Sequence, residues 1–190
     1  MGRQPKAREI ILDAARRVVR ERGAGNLTYE ELVHESGVTR GGITYHFPTK
    51  DDLLRELVRQ DIENWHEVEQ RLRPKMDNAV AAEVIAHIRS HTERDDDRRR
   101  FVSGMLSAIT LDRTLMDPVR EFVKDKCGEI EWTDQQLMLQ VIRLAAEGLF
   151  WSELFGCGEL PDDVRDRFVS RLEVLAEEWA VEPGAERKAS

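Results

Sequence analysis

Apolar residues recur every three or four positions along almost the whole chain, and the strict alternation typical of strands is missing. The first apolar stripe runs from about Lys6 to Arg22 and ends at Gly23, a usual residue at a helix C-terminus. A longer stripe begins after Pro48 and Thr49. Further helical patterns cover about 78–91 and 99–110, begin again at Asp117-Pro118, and cover about 134–155 and 161–180, most of them preceded by a capping residue or a proline. The pattern therefore predicts an all-α fold.

Two shorter helices are predicted between the first helix and the long fourth one. Thr28 and Glu31 form a capping box that opens a helix to about residue 35, and Thr39 caps another through about residue 45. Ser36-Gly37-Val38 lies between them, so the layout is helix, glycine turn, helix. Glycines 41 and 42 inside the second helix cost about 1 kcal/mol each relative to alanine. Their lack of side chains would let the backbone approach a phosphate or a base edge closely.

The charge distribution agrees with one end of the chain meeting a polyanion. The 190 residues carry a net charge of −8, with 35% charged and 41% hydrophobic residues. Residues 1–50 hold nine Lys/Arg and six Asp/Glu, which gives +3, and residues 51–190 hold twenty and thirty-one, which gives −11. A basic head on an acidic body is expected when only the head contacts nucleic acid. No apolar run is long enough to span a membrane and no secretory signal is visible, so we expect a cytoplasmic protein.

The first third of the chain resembles the DNA-binding head of TetR-family transcriptional regulators. The stretch from Arg8 to Leu54 carries the pattern of that family in order, with one departure at Thr44, where the family usually has a tyrosine. The matching residues are Gly23, Thr28, Ser36-Gly37-Val38, Gly41, Tyr45-His46-Phe47 and Lys50. The body matches only in outline, through helices of suitable length and the segment RLAAEGLFWSELFG.

This resemblance implies an all-α protein with an N-terminal helix-turn-helix head (1–48), a C-terminal helical ligand-binding and dimerisation body (49–182) and a short tail (183–190). It implies a homodimer that binds a pseudo-palindromic double-stranded DNA operator. A small apolar or amphipathic effector would release the DNA, so the protein would be a repressor. We expect no enzymatic activity, no cofactor and no metal.

Individual residues are assigned on the same basis. Arg40 is expected to read a base, because its planar fork suits guanine. The other expected DNA contacts, mostly to phosphates, are Arg3, Lys6, Thr28, Tyr29, Thr39, Gly41, Thr44, Tyr45, His46 and Lys50. The expected ligand-binding residues are Trp65, Met105, Ile109, Phe122 and Trp151. The expected dimer contacts are Leu149, Ser152, Phe168, Leu172 and Leu175, with residue 149 on an exposed face.

Two groups of residues invite chemistry that the sequence does not otherwise support. His87 and His91 lie four residues apart on one helix and could ligate a metal, but no third ligand is evident, so we expect surface histidines. Cys127 and Cys157 are expected to be buried small apolar residues. Two other functions remain open: a helical small-molecule-binding or scaffold protein that does not bind DNA, and a helical enzyme using the C-terminal body.

Overall fold

The computed structural model describes residues 7–128 and 131–180, and regular structure within them is entirely helical. The all-α prediction is therefore confirmed. The helices are α1 Ala7–Arg22, α2 Tyr29–Ser36, α3 Arg40–His46, α4 Lys50–Leu72, α5 Ala79–Thr92, α6 Asp96–Leu111, α7 Asp117–Cys127, α8 Asp134–Leu154 and α9 Asp162–Trp179. Short 3₁₀ turns occur at Ala24–Asn26 and Arg113–Met116. None of the described helices is both long and apolar enough to cross a bilayer.

Side-chain caps fix where several helices begin. The hydroxyl of Thr133 accepts a hydrogen bond from the backbone N–H of Gln136 at 3.2 Å, so the predicted start of α8 is confirmed. Asn78 caps α5 in the same way. Asp95 accepts from the N–H of Arg98 at 3.0 Å, so the charged run at 93–100 contains the start of α6. The acidic residues of that run thus lie at the positive end of the helix dipole.

The helices form two compact units. Unit 1 contains the chain up to residue 64 together with 95–128, and unit 2 contains 65–94 together with the chain from 129. Helix α4 contributes its first part to unit 1 and its last part to unit 2. These units are defined by which helices pack together. The sequence-based boundary at residue 48 separates a DNA-binding part from a ligand-binding part, and it stays a prediction.

The core of unit 1 packs the first three helices with α6 and the start of α4. Its buried side chains include Ile11, Leu12, Val18, Val19, Leu32, Ile43, Phe47, Leu53, Leu57, Phe101 and Met105. At Gly104 of α6 an added Cβ would lie 2.1 Å from the backbone carbonyl oxygen of Val19 in α1. Only glycine therefore allows these two helices to pack at this distance.

Unit 2 packs α5, α8 and α9 around a second core. The buried side chains are Ala81, Val84, Ile85, Ile88, Leu139, Ile142, Ala146, Leu172 and Ala176. Arg165 at the start of α9 is also buried, and its guanidinium contacts Glu153 at 2.5 Å and donates to the carbonyl oxygen of Thr92 at 2.6 Å. The Arg165 side chain thus links the start of α9 to the ends of α5 and α8.

Candidate functional site

The turn between α2 and α3 has the conformation that its glycine permits. Gly37 has φ 68° and ψ 5°, in the left-handed region, and its N–H donates to the carbonyl oxygen of Val33 at 2.9 Å. The Ser36 hydroxyl accepts from the N–H of Val38 at 3.1 Å and donates to the carbonyl oxygen of Leu32. These bonds hold the two helices in the predicted helix-turn-helix arrangement.

One side of α3 is fixed to the core and the other faces solvent. Ile43 is fully buried, and Phe47 directly after the helix is 3% exposed. A Cβ at Gly42 would lie 2.8 Å from a methyl carbon of Val38, whereas a Cβ at Gly41 would meet nothing within 4 Å. Packing thus favours glycine at 42, because an alanine there would force the Val38 side chain to shift. At 41 the fold places no such demand, and an open glycine is what a close approach of another molecule would use.

The threonines in and near α3 differ in whether their hydroxyl hydrogen is available to donate to DNA. Thr28 and Thr39 accept cap bonds from backbone N–H groups, each at 3.2 Å, so their hydroxyl hydrogens can donate to a phosphate. Thr44 donates to the carbonyl oxygens of Arg40 and Gly41 at 3.1 and 3.2 Å. Its hydroxyl hydrogen is used within the helix, so a phosphate contact at Thr44 would require that bond to break.

Arg40 and Tyr29 form a small exposed cluster with Glu30. The guanidinium of Arg40 contacts the Glu30 carboxylate at 2.7 Å and lies 5.4 Å from the centre of the Tyr29 ring. The Tyr29 hydroxyl donates to the carbonyl oxygen of Pro48 at 3.0 Å. An exposed ion pair of this kind contributes about 0.2–1 kcal/mol, so a polyanion can displace Glu30 at small cost.

Three of the remaining predicted DNA contacts, Tyr45, His46 and Lys50, lie in α3 or soon after it. The Tyr45 side chain is 83% exposed and meets the half-buried His46 ring edge-on, with ring centres 5.1 Å apart. Lys50 opens α4 and is half-buried. Arg3 and Lys6 lie outside the described residues.

The predicted ligand-binding residues are divided between the two units. Met105 is 1% exposed within the core of unit 1, and Ile109 packs against that core. Phe122, in the same unit, is half-buried on α7. In unit 2 the Trp65 indole N–H donates to the Ser90 hydroxyl at 3.0 Å, and Trp151 is 40% exposed and stacks on Phe155.

The predicted exposure of Leu149 is wrong. Its side chain is 7% exposed, because it lies on the side of α8 that packs inside unit 2, and Leu172 of α9 is buried for the same reason. The other predicted dimer residues, Ser152, Phe168 and Leu175, are half-buried.

Helix α8 does present an apolar surface, but from other positions. The exposed apolar residues are Leu137, Val141, Leu144, Trp151 and Phe155, each 40–59% exposed, with the exposed Gly148 between them. Their spacing of four and three residues places them on one face of the helix, which we call the α8 stripe. Single exposed apolar residues are normal, whereas a continuous face of them marks an interaction surface.

Sequence reasoning missed a buried polar cluster in unit 2. His87 is 8% exposed, so the expectation of a surface histidine there is wrong. Its Nδ1 lies 3.2 Å from the carboxylate of Glu69, and its Nε2 lies 3.2 Å from that of Glu147. Burial alone would lower the pKa of His87, but its interactions with Glu147 and Glu69 outweigh burial and raise the pKa. The pKa of Glu147 is lowered, chiefly by its contact with His87. Only the His87–His91 spacing hinted at this cluster, because the carboxylates come from α4 and α8.

The cysteine expectation is also wrong where it can be checked. Cys157 is exposed as a free thiol in the turn after α8, between Gly156 and Gly158, which both have positive φ. The side chain of Cys127 lies outside the described part of the structure.

Comparisons with known proteins agree with the helix-turn-helix geometry. The family model for bacterial regulatory proteins of the TetR family matches residues 11–57, and a model for the tetracyclin repressor-like C-terminal domain matches residues 81–177. The transcriptional regulator AcrR of Shigella flexneri is 31% identical over 97 residues, which cover 50% of this chain and 45% of AcrR. The match thus spans less than half of that relative.

Solved structures show the same fold over nearly the whole chain. A transcriptional regulator from Streptomyces coelicolor A3(2) superposes with a TM-score of 0.69 at 16% identity, covering 90% of this chain and 99% of that one. The multidrug binding protein EbrR, complexed with ethidium, gives a TM-score of 0.63 at 24% identity, covering 90% and 99%. Because the two family models together span the head and most of the body, the chain belongs to the TetR family of transcriptional regulators.

Proposed function

We propose that the protein is a ligand-responsive cytoplasmic repressor whose homodimer binds a pseudo-palindromic operator through α3 and its flanks. The observation that carries this proposal is the solvent-facing side of α3. It combines an open glycine at 41, an exposed arginine that contacts Glu30 and the Tyr29 ring, and two cap threonines with hydrogens left to donate.

These groups suit the two tasks of operator binding. Arg40 would leave Glu30 and donate both arms of its guanidinium to a guanine in the major groove. Thr28, Thr39 and Lys50 would bind phosphates around it and so fix the register of the helix. Tyr45, at 83% exposed, would contact the backbone or a thymine methyl group through its ring. The charge of +3 on residues 1–50 favours the same encounter.

The homodimer is proposed to form through the α8 stripe. A single head offers few phosphate contacts, and an operator with two half-sites needs two heads in fixed register. The stripe is long, apolar and regularly spaced, and a two-fold interface lets it pack against its own copy. The half-buried Phe168 and Leu175 of α9 would add to its edge.

A small apolar or amphipathic molecule is the proposed effector. The complex of EbrR with ethidium supports this class, since that protein shares the fold. The effector must bind the conformation that fails to bind DNA more tightly than the one that binds it. DNA must then weaken effector binding by the same factor.

Selection of bound sequences from random DNA tests the proposal, followed by titrations of the selected site with three variants. The wild-type protein should enrich two inverted half-sites. If the dimer neutralises roughly 8 phosphates, the logarithm of its affinity should fall with that of salt concentration at a slope near −7. Arg40→Ala should lose about 1–3 kcal/mol and relax preference at one base position per half-site. Lys50→Ala should weaken all sequences alike.

Arg73→Ala is the matched control, because it removes an exposed arginine just after α4, away from α3, the α8 stripe and α9, and should leave DNA binding unchanged. If Arg40→Ala lowered affinity equally for every sequence, the base-reading role would be refuted. Enrichment of no sequence at all would instead favour a small-molecule-binding protein that does not bind DNA.

A further inference from the structure

The cluster around His87 is partly buried, and its composition and geometry serve no part of DNA binding. His87 and His91 come from α5, and Glu147 comes from α8, so unit 2 brings together two imidazoles and a carboxylate. One potential ligand atom from each of these residues lies within 4.8 Å of the other two. A second group of this kind in the described chain, Glu31, His34 and Glu35, lies at the surface of the head.

We propose that His87, His91 and Glu147 bind a divalent transition metal, with zinc as the best-fitting ion. Two histidines and one glutamate are a known ligand set for four-coordinate zinc, with the fourth position left to water or another ligand. Ligand atoms about 2.0–2.2 Å from a tetrahedral ion are about 3.3 Å apart. His87 Nε2 and the Glu147 oxygen already lie 3.2 Å apart. The three ligand atoms lie within 4.8 Å of one another, so closing the site requires no pair of them to approach by more than about 1.5 Å.

In each histidine the hydrogen bond made by Nδ1 leaves Nε2 as the nitrogen that can bind the ion. Nδ1 of His87 lies 3.2 Å from Glu69, whose side chain is 3% exposed, so Nδ1 donates to that carboxylate. Nε2 of His87 is buried and makes no well-aligned hydrogen bond, although the Glu147 oxygen lies 3.2 Å away. Nδ1 of His91 lies 3.0 Å from the carbonyl oxygen of His87 and donates to it, which places the lone pair on Nε2. Metal-binding histidines are oriented in this way, through a carboxylate or carbonyl on the other ring nitrogen.

The charge balance of the cluster also favours a cation. Glu69 and Glu147 both face the His87 ring, at 3.2 Å each, so a divalent cation at this position would be balanced by two carboxylates. The ion would bond to His87 and His91 of α5 and to Glu147 of α8. The Trp65 ring meets both histidine rings edge-on at 5.0 and 5.7 Å, and Phe150 lies 6.3 Å from His91. These aromatic rings limit the access of water, which strengthens metal–ligand bonds.

The test measures metal binding by the full chain without DNA. After treatment with a chelator, equilibrium dialysis against Zn²⁺ should give one bound ion per chain, and the melting temperature should rise with zinc. His91→Ala and Glu147→Gln should abolish this binding. Glu69→Gln should weaken it about 10–100-fold, because it orients His87 without touching the ion. His34→Ala in the surface group is the control and should bind as the wild type does.

Zinc X-ray absorption of the wild type provides a readout that does not depend on how a variant folds. Two imidazole ligands per zinc are expected. The proposal is overturned if the wild type binds no zinc, if the bound zinc has no imidazole ligand, or if His34→Ala removes binding while His91→Ala keeps it. Tighter binding of Cu²⁺ or Ni²⁺ than the general order of divalent-metal affinities predicts would overturn the choice of zinc.

Discussion

The α8 stripe provides the most direct test of how the subunits associate. Leu144 lies in the middle of the stripe and is 53% exposed in the single chain. In a two-fold interface it would be buried in both copies, so one substitution acts twice. We expect Leu144→Glu to give folded monomers that fail to bind operator DNA.

The exposure of Leu144 sets the size of this effect. Complete burial of a leucine side chain contributes about 1.5–3 kcal/mol, so about half of it remains to be gained on dimerisation, or about 2–3 kcal/mol for two copies. Placing two carboxylates in the same apolar contact costs more, because they lose water and repel each other. A total of at least about 3 kcal/mol corresponds to a dimer dissociation constant raised 100-fold or more.

Analytical ultracentrifugation gives the dissociation constant, and circular dichroism shows whether the monomers stay helical. Leu111→Glu is the matched control, since it makes the same chemical change at a leucine on α6 that is 89% exposed. Leu149→Glu should unfold the protein instead, because that side chain is 7% exposed inside unit 2. A Leu144→Glu protein that dimerises as tightly as Leu111→Glu would refute the placement of the interface on this stripe.

Three glycine-to-alanine substitutions make a matched series for stability, measured by urea unfolding, and for operator affinity. Gly104→Ala should destabilise the fold by about 2 kcal/mol or more, because its Cβ would lie 2.1 Å from the backbone oxygen of Val19. Gly42→Ala should cost about 1–3 kcal/mol, since its Cβ would lie 2.8 Å from a Val38 methyl carbon. Gly41→Ala should be neutral or stabilise α3 by up to about 1 kcal/mol, yet weaken operator binding; unchanged binding would show that DNA does not approach the backbone there.

The sequence predicts most of the fold because local signals agree with the packing. The capping boxes at Thr28 and Thr133 mark helix starts that the structure confirms, and Gly37 takes the left-handed turn conformation expected of it. The charged run at 93–100 is ambiguous in the sequence, because a solvated linker and the capped start of a helix have similar composition, and only the structure shows that α6 begins there.

The sequence predicts less about which face of a helix is covered. Apolar residues surround α8, so periodicity alone did not separate the buried Leu149 from the exposed Leu144. The cluster around His87 could not be predicted, because its carboxylates come from two other helices and depend on tertiary packing. Likewise, the different roles of Gly41 and Gly42 depend on the position of one valine side chain.

The features of the head explain why DNA binding should depend so strongly on the body. Tyr29 and Thr44 are two of the expected phosphate contacts, but their hydroxyl hydrogens already serve the protein itself. A single head therefore gains little net free energy from an operator half-site. Two heads joined by the α8 stripe bind the second half-site within one molecule, which adds affinity without any new contact. The loss of operator binding in Leu144→Glu should consequently be reversed by covalent linkage of two chains, whereas that in Arg40→Ala should not.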